Sequence, residues 1–304
     1  MKADPNQLHF ATLAELMERL KLAPPQHPLM ALINYDQVKP DLAHAEKRFV
    51  LEFYKISFKP TFNGFVHYGP GTYDFKDGGL AFLGPNQPVE MSADLEQYQG
   101  YVLYFHPDLL LGFPFARMQD YGFFSYTVNE ALFLSAREKQ VIVNAFEVID
   151  VELSNRADHW TQGLLVTQLL SLLQLSNRFY DRQFITRKVV HHDLIDGVQE
   201  YLSHYLANAK SGNAGLPTSQ EIAAHLHVSP RYLSDMLKAL TGKTTQEHIH
   251  LRLMERAKEI LLTTKFTTAQ VAYQLGFEHP QSFNKFFKLK TGTTPLSFRR
   301  SAVT

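Results

Sequence analysis

The side chains of this sequence with the clearest chemistry lie between Pro230 and Arg300 and are suited to nucleic acid. Arg231 can place two donors on the acceptors of a guanine edge, and the amides of Gln281 and Asn284 can pair with adenine. Lys238, Lys285 and Lys288, followed by Arg299 and Arg300, can neutralise backbone phosphates. Charge is distributed accordingly. From Ser219 onward there are 12 Lys+Arg and 6 Asp+Glu, a net of +6, so the remainder of a chain that is neutral overall carries −6. A basic C-terminal part on an acidic remainder is the footprint of a nucleic-acid surface confined to one region.

Other chemistries are weaker in this sequence. Its 14 histidines invite a metal site. However, His225-Leu226-His227 and His248-Ile249-His250 fall on predicted helices, where residues two apart point to different faces and cannot chelate together. Near the centre of the predicted β region, His67 lacks a neighbouring His-x-His with a following Glu, so no metal or other cofactor is expected. With no cysteine there is no disulfide framework, thiolate metal site or cysteine nucleophile. No phosphate-cradling glycine loop and no Ser-His-Asp spacing is present.

The basic residues need elements to present them, and the sequence supplies a repeat. Ile222-Ala223-Ala224-His225-Leu226 is echoed 49 positions later by Val271-Ala272-Tyr273-Gln274-Leu275. Leu233, Leu237 and Thr241-Gly242 are echoed 50 positions later by Phe283, Phe287 and Thr291-Gly292. The extra residue falls where Val228-Ser229-Pro230 corresponds to Phe277-Glu278-His279-Pro280. Each copy reads as a short helix, a tight turn and a second helix opened by proline, the layout of a helix-turn-helix. Thr218-Ser219-Gln220-Glu221, Thr244-Thr245-Gln246-Glu247 and Thr267-Thr268-Ala269-Gln270 are capping boxes. Ser229-Pro230 and Thr294-Pro295 pair an N-cap with a first-turn proline, and Gly242 and Gly292 stop their helices. Seven helices are expected, with a long one from Thr245 to about Thr263. Leu226, Leu233, Leu237, Leu275, Phe283 and Phe287 form the expected core of the two units.

The N-terminal part reads differently. From Pro28 to Phe105, runs rich in β-branched and aromatic residues, such as Arg48 to Phe58 and Gly100 to Phe105, are punctuated by Gly69-Pro70-Gly71, Asp77-Gly78-Gly79 and Gly84-Pro85-Asn86. Many short strands with frequent turns imply a barrel or sandwich. Ser135 to Asn155 and Trp160 to Tyr180 then form an amphipathic helical hairpin. Its oily face either covers the strands or pairs with a second copy of the chain, and both readings stand. No apolar stretch reaches the ~20 residues of a membrane span. The polar start, Met1 to Gln7, leads to no apolar signal core, so the expected compartment is the cytoplasm.

The paired motifs, the Ala257-Lys258-Glu259-Ile260-Leu261-Leu262 stretch between them, and the closing run from Gly276-Phe277-Glu278-His279-Pro280 to Thr294-Pro295-Leu296-Ser297-Phe298-Arg299 resemble the AraC/XylS family of bacterial transcription regulators. The resemblance covers about the last hundred residues. More loosely, Gly79 to Pro88 resembles a turn of the cupin-like sensing domain that many members carry. It implies an α+β chain with a cupin-like β-barrel and helical hairpin over residues 1–184, a linker at 185–192, and an all-α DNA-binding domain with two helix-turn-helix units over 193–304. It also implies reading helices at Pro230 to Leu240 and Pro280 to Lys290, with Arg231, Ser234, Asp235 and Lys238 in the first and Gln281, Ser282, Asn284 and Lys285 in the second at the contact positions. Lys288 and Arg299 add charge against the DNA backbone. Asp235 departs from the basic residue often found there. Its carboxylate can accept from cytosine N4 or repel a phosphate.

The expectation is therefore a non-enzymatic regulator of double-stranded DNA, with RNA polymerase as a further partner and a homodimer formed through the 135–180 helices. A small-molecule effector would sit in the barrel among Tyr35, His67, Tyr68, Tyr73, Phe82 and Tyr104, side chains that otherwise read as plain core. Two alternatives stay open. One is a ligand-independent regulator whose barrel is a dimerisation scaffold. The other is a cupin-type enzyme tethered to DNA, which the missing metal triad disfavours. The repair methyltransferases that share this DNA-binding unit need a cysteine acceptor, and this chain has none.

Overall fold

In a computed structural model, residues 7–35, 48–60, 65–68, 71–74, 78–90, 99–127, 130–186, 188–208 and 215–301 are described. The chain is α+β and divides into two units, residues 1–186 and 187–304.

The first unit begins with β1 (Gln7–Phe10), α1 (Leu13–Arg19), β2 (Met30–Asn34), β3 (Arg48–Leu51), β4 (Tyr54–Lys59), β5 (Phe65–Tyr68) and β6 (Gly71–Asp74). It continues through β7 (Gly79–Leu83), β8 (Pro88–Glu90), β9 (Tyr101–Phe105) and β10 (Leu132–Phe133) to α2 (Ala136–Ser154) and α3 (Thr161–Thr186). Among the described residues the strands form three separate sheets, ordered β10-β7-β4-β9-β2, β1-β3-β8 and β5-β6, with no closed ring.

The five-stranded sheet is antiparallel throughout, and its register sorts side chains onto two faces. Ile56, Phe58, Leu80, Phe82, Leu103 and Phe105 are buried on one face. That face packs against an aromatic cluster in which Phe82 lies 4.2 Å from Phe123 and Phe58 lies 6.2 Å from Phe146, measured between ring centroids. Ala31, Ile33, Val102 and Tyr104 lie on the other face and share a core with Leu13, Leu16 and Met17 of α1 and with Phe49 and Leu51 of β3.

The helical hairpin covers the first of these faces. Ile142, Phe146, Ile149 and Leu153 of α2 and Leu165, Leu169, Leu172 and Phe184 of α3 are buried at helical spacing. Arg182 secures the joint. Its guanidinium makes two hydrogen bonds to the Glu138 carboxylate, at 2.9 and 3.1 Å, and donates to the Phe133 carbonyl at 2.7 Å.

The second unit comprises α4 (Lys188–Asn208), α5 (Ser219–His225), α6 (Pro230–Thr241), α7 (Thr245–Thr263), α8 (Thr268–Gln274), α9 (Pro280–Thr291) and α10 (Pro295–Ser301). The three expected capping boxes are formed, at Thr218, Thr244 and Thr267, each with both reciprocal bonds. Gly242 and Gly292 take left-handed conformations at φ 74° and 77°. Alpha-helix α7 has the expected bounds and packs against α4, α6, α8 and α10. The backbone predicted as linker at 185–192 is helical to Thr186 and again from Lys188.

The two helix-turn-helix turns differ in chemistry. In the first, His227 takes a positive φ of 56°, and in the second Gly276 takes 89°. A Cβ on Gly276 would also collide with the Gly215 carbonyl oxygen, so this position needs glycine for space as well as for dihedral. Gly276→Ala is expected to destabilise the protein by at least about 1–3 kcal/mol, the usual cost of one strained backbone position. Thermal unfolding of the full chain measures it, and an unchanged midpoint would show that the Gly215 loop yields.

Candidate nucleic-acid interface

Helices α6 and α9 form because each has a strong start and stop. Ser229 caps α6 by accepting the Tyr232 amide at 3.2 Å, proline occupies the first turn of both helices, and each ends at its left-handed glycine. Helical spacing then separates two faces. In α6, Tyr232, Leu233, Met236 and Leu237 are buried. In α9, Phe283 and Phe287 are buried in an aromatic cluster with Phe277 and Phe298. Of the six leucines and phenylalanines expected in the core, Leu226 alone is half-buried, and it lies against Gly197 of α4.

The opposite faces carry the predicted contact residues. On α6, Arg231 and Lys238 are exposed and Ser234 and Asp235 half-buried, along one stripe. On α9, Gln281, Ser282, Asn284, Lys285 and Lys288 are all exposed. Leu289 of α9 is 79% exposed on the stripe of Ser282 and Lys285. Its spacing puts it on the polar stripe and away from Phe283 and Phe287, where an apolar side chain can contact a thymine methyl group.

Arg231 and Asp235 are not independent. Arg231 Nε donates to Asp235 Oδ2 at 2.9 Å, one helical turn away. This bond leaves the two terminal nitrogens of the fork for a guanine edge and holds the fork in one orientation. The i,i+4 spacing was the available signal for this pair.

Arg299 stands apart from the other basic residues. It is half-buried, and its Nε donates to the Leu261 carbonyl at 2.8 Å in the last turn of α7. Its Nη2 is buried without a hydrogen-bond partner among the described residues. This geometry ties α10 to α7 and does not present the guanidinium as an open phosphate contact.

The rod between the two helices is braced over its first two turns. The Thr241 hydroxyl and His248 Nε2 are 2.8 Å apart, joining α6 to α7. Burial, with the Lys243 charge nearby, holds the His248 imidazole below its ordinary value and favours the neutral ring. The ring of His250 lies 5.2 Å from that of Phe286, joining α7 to α9, and Arg252 Nη2 donates to Ser203 Oγ of α4 at 2.9 Å. Nineteen residues of α7 span roughly 28 Å at ~1.5 Å per residue, near one ~34 Å turn of DNA.

In the first unit, the residues expected to line an effector pocket do not all share a surface. Tyr104 is buried and Tyr35 half-buried on the face shared with α1. Phe82 pairs with Ile56 and points to the opposite, helix-covered face, where Phe123, Phe124 and Tyr180 surround it. The side chains of His67, Tyr68 and Tyr73 lie outside the described residues.

A family model described as a helix-turn-helix domain matches residues 222–301. The chain is 28% identical over 221 residues to the uncharacterized HTH-type transcriptional regulator YobQ of Bacillus subtilis, covering 70% of this chain and 84% of that protein. It is 26% identical over 136 residues to the arabinose operon regulatory protein of Salmonella typhimurium, covering 44% of this chain and 46% of that one. It spans about a quarter or less of the length of several other curated relatives. The C-terminal domain of the response regulator yesN from Fusobacterium nucleatum aligns at 29% identity over 33% of this chain and 96% of that one, with a TM-score of 0.29. Among the described residues no helix is long and apolar enough to cross a membrane. With two helix-turn-helix units packed on one connecting helix, residues 222–301 form a helix-turn-helix domain of the AraC type, similar to that of curated transcription regulators.

Proposed function

We propose that this chain is a sequence-specific DNA-binding regulator, with α6 and α9 entering successive major grooves on one side of a duplex. The observation that carries this reading is the matched pair of exposed polar stripes on two helices that both brace one rod. In it, residues 193–304 bind DNA, 185–192 form the linker, and 1–184 are a cupin-like sensing domain. Arg231, Gln281 and Asn284 read base edges, Ser234 and Ser282 add hydroxyl contacts, and Lys238, Lys285 and Lys288 hold phosphates. Asp235 acts through Arg231. A small molecule bound in the first unit alters DNA binding, the chain itself catalyses no reaction, and it works in the cytoplasm with RNA polymerase as a further partner.

A second reading makes the first unit a dimerisation scaffold that needs no ligand. The exposure of Val148 at 51%, Val151 at 63%, Trp160 at 64% and Leu164 at 46% on and beside the α2–α3 hairpin favours a homodimer through that surface.

Footprinting on DNA selected from a random pool tests the main reading. Two protected patches on one duplex face, about one helical turn apart at ~10.5 base pairs, are expected for each copy bound. A single short patch, or none at any salt concentration, overturns it.

A further inference from the structure

The two helix-turn-helix turns carry equivalent residues, His227 and Gly276, 49 positions apart in the repeat. Both take a left-handed backbone, at φ 56° and 89°. His227 is exposed and keeps its side chain, so a left-handed turn by itself tolerates one in this motif. At 276 the obstacle is a neighbour. The Gly215–Leu216 peptide, its carbonyl foremost, occupies the space that a Cβ on Gly276 would take.

Both sides of this contact are firmly held. Gly215 and Leu216 lead into the first helix-turn-helix through buried Pro217 and the capping box of Thr218 and Glu221 that opens α5. Proline fixes its own φ and restricts the residue before it, so this peptide has little freedom to move relative to α5. Gly276 sits where α8 ends, and the amides of Gly276 and Phe277 donate to the carbonyls of Tyr273 and Ala272 at 3.1 and 3.0 Å. The Tyr205 hydroxyl of α4 donates to the Gly215 carbonyl at 3.5 Å. The contact therefore runs from the lead-in of the first unit to the turn of the second, backbone against backbone, without passing through α7.

A rod sets the distance between two reading helices more firmly than their rotation about its axis. DNA demands both, since each base pair added between half-sites moves them ~3.4 Å apart and turns them by about 34°. We propose that the Gly215–Leu216 peptide against Gly276 is the stop that fixes this rotation, and so determines which half-site spacing the protein accepts. Gly215, Pro217 and Gly276 are then positioning residues for spacing and touch no base. The proposal rests on the two-helix reading above and deepens it by naming what sets its geometry.

Binding of the full chain to a panel of duplexes tests it. The panel carries the two half-sites obtained by selection, at the selected spacing and at one and two base pairs more or fewer. The native chain should lose about tenfold in affinity for the first base pair of shift, the scale of one mismatched base pair. Gly276→Ala and Pro217→Gly should flatten that step to about threefold, less than a single mismatch costs, with base preference inside each half-site unchanged. A variant that is only less stable loses affinity by one factor at every spacing and keeps the shape of the profile. Pro217→Gly leaves the Gly276 turn intact, so it decides the matter if Gly276→Ala does not fold. The native profile retained in Pro217→Gly overturns the proposal. A native chain that binds two half-sites with no spacing preference also overturns it and leaves the two-helix reading standing. Selection of a single half-site overturns the two-helix reading itself, and the proposal with it.

Discussion

Arg231→Ala is expected to cost about 1–3 kcal/mol of affinity for selected DNA and to relax base preference at one position of the site. Gln281→Ala should do the same at a position about one helical turn away. Both side chains are exposed, so protein stability should change by no more than about 0.5 kcal/mol, and the loss can be read as a binding effect. Selection from a random pool, repeated with each variant, separates base reading from phosphate contact. Uniform weakening across all sequences would show that these residues touch only the backbone.

The Asp235 pairing makes the first variant more informative. Removing Arg231 leaves the Asp235 carboxylate on a face that meets phosphates, so part of the loss is repulsion. The double variant Arg231→Ala/Asp235→Ala should therefore bind better than Arg231→Ala alone. Asp235→Ala by itself should blunt the preference at the same base while preserving most of the affinity, because the guanidinium keeps its charge and loses its orientation. In the free protein the exposed pair contributes only about 0.2–1 kcal/mol, so its importance lies in aim more than in stability.

Phe287→Ala is expected to lower the unfolding free energy by about 3–5 kcal/mol, the range for deleting a fully buried aromatic ring. Phe287 is buried completely, with the rings of Phe298 and Phe283 edge-on at 5.5 and 5.8 Å. The cavity left between two remaining rings has little else to fill it, since the cluster belongs to one small helix-turn-helix. Domains of this kind have total stabilities of roughly 5–15 kcal/mol, so the second unit should be substantially weakened. Chemical denaturation measures the loss, and the footprint half assigned to α9 should fade first. Leu289→Ala, two residues on and 79% exposed, is the matched control and should be nearly silent in stability. A large effect there with a small one at Phe287 would show that α9 packs with its faces exchanged.

The second unit was legible in the sequence to the residue at several helix ends. A capping box closes its hydrogen bonds within four residues, and a left-handed glycine acts on its own dihedral. Thr244, Glu247 and Gly242 therefore act locally wherever the chain goes. The repeat added the pairing of two units, and the 3.6-residue period separated Leu233 and Phe283 from Arg231 and Gln281. Two features of this unit have tertiary causes. Arg299 looked like a surface charge until α10 was laid against the end of α7, where the Leu261 carbonyl takes its Nε. The need for glycine at 276 arises only once the Gly215 carbonyl is brought against it.

In the first unit the sequence determined that strands would form, and that glycine-rich turns would separate them, because β-branched and aromatic runs have that preference in any context. It left open which face each aromatic would take. That choice depends on register, and register is set by a partner strand tens of residues away, where a slip of one residue exchanges the two faces. Phe82 and Tyr104 look alike in sequence, yet the pairing of Phe82 with Ile56 and of Tyr104 with Lys55 places them on opposite sides of one sheet. The same pairing puts Lys55, Ser57 and Lys59 on the side away from the helical hairpin. Short-range bonds wrote the helices of this protein into its sequence, while the two faces of its sheet existed only once distant strands had met.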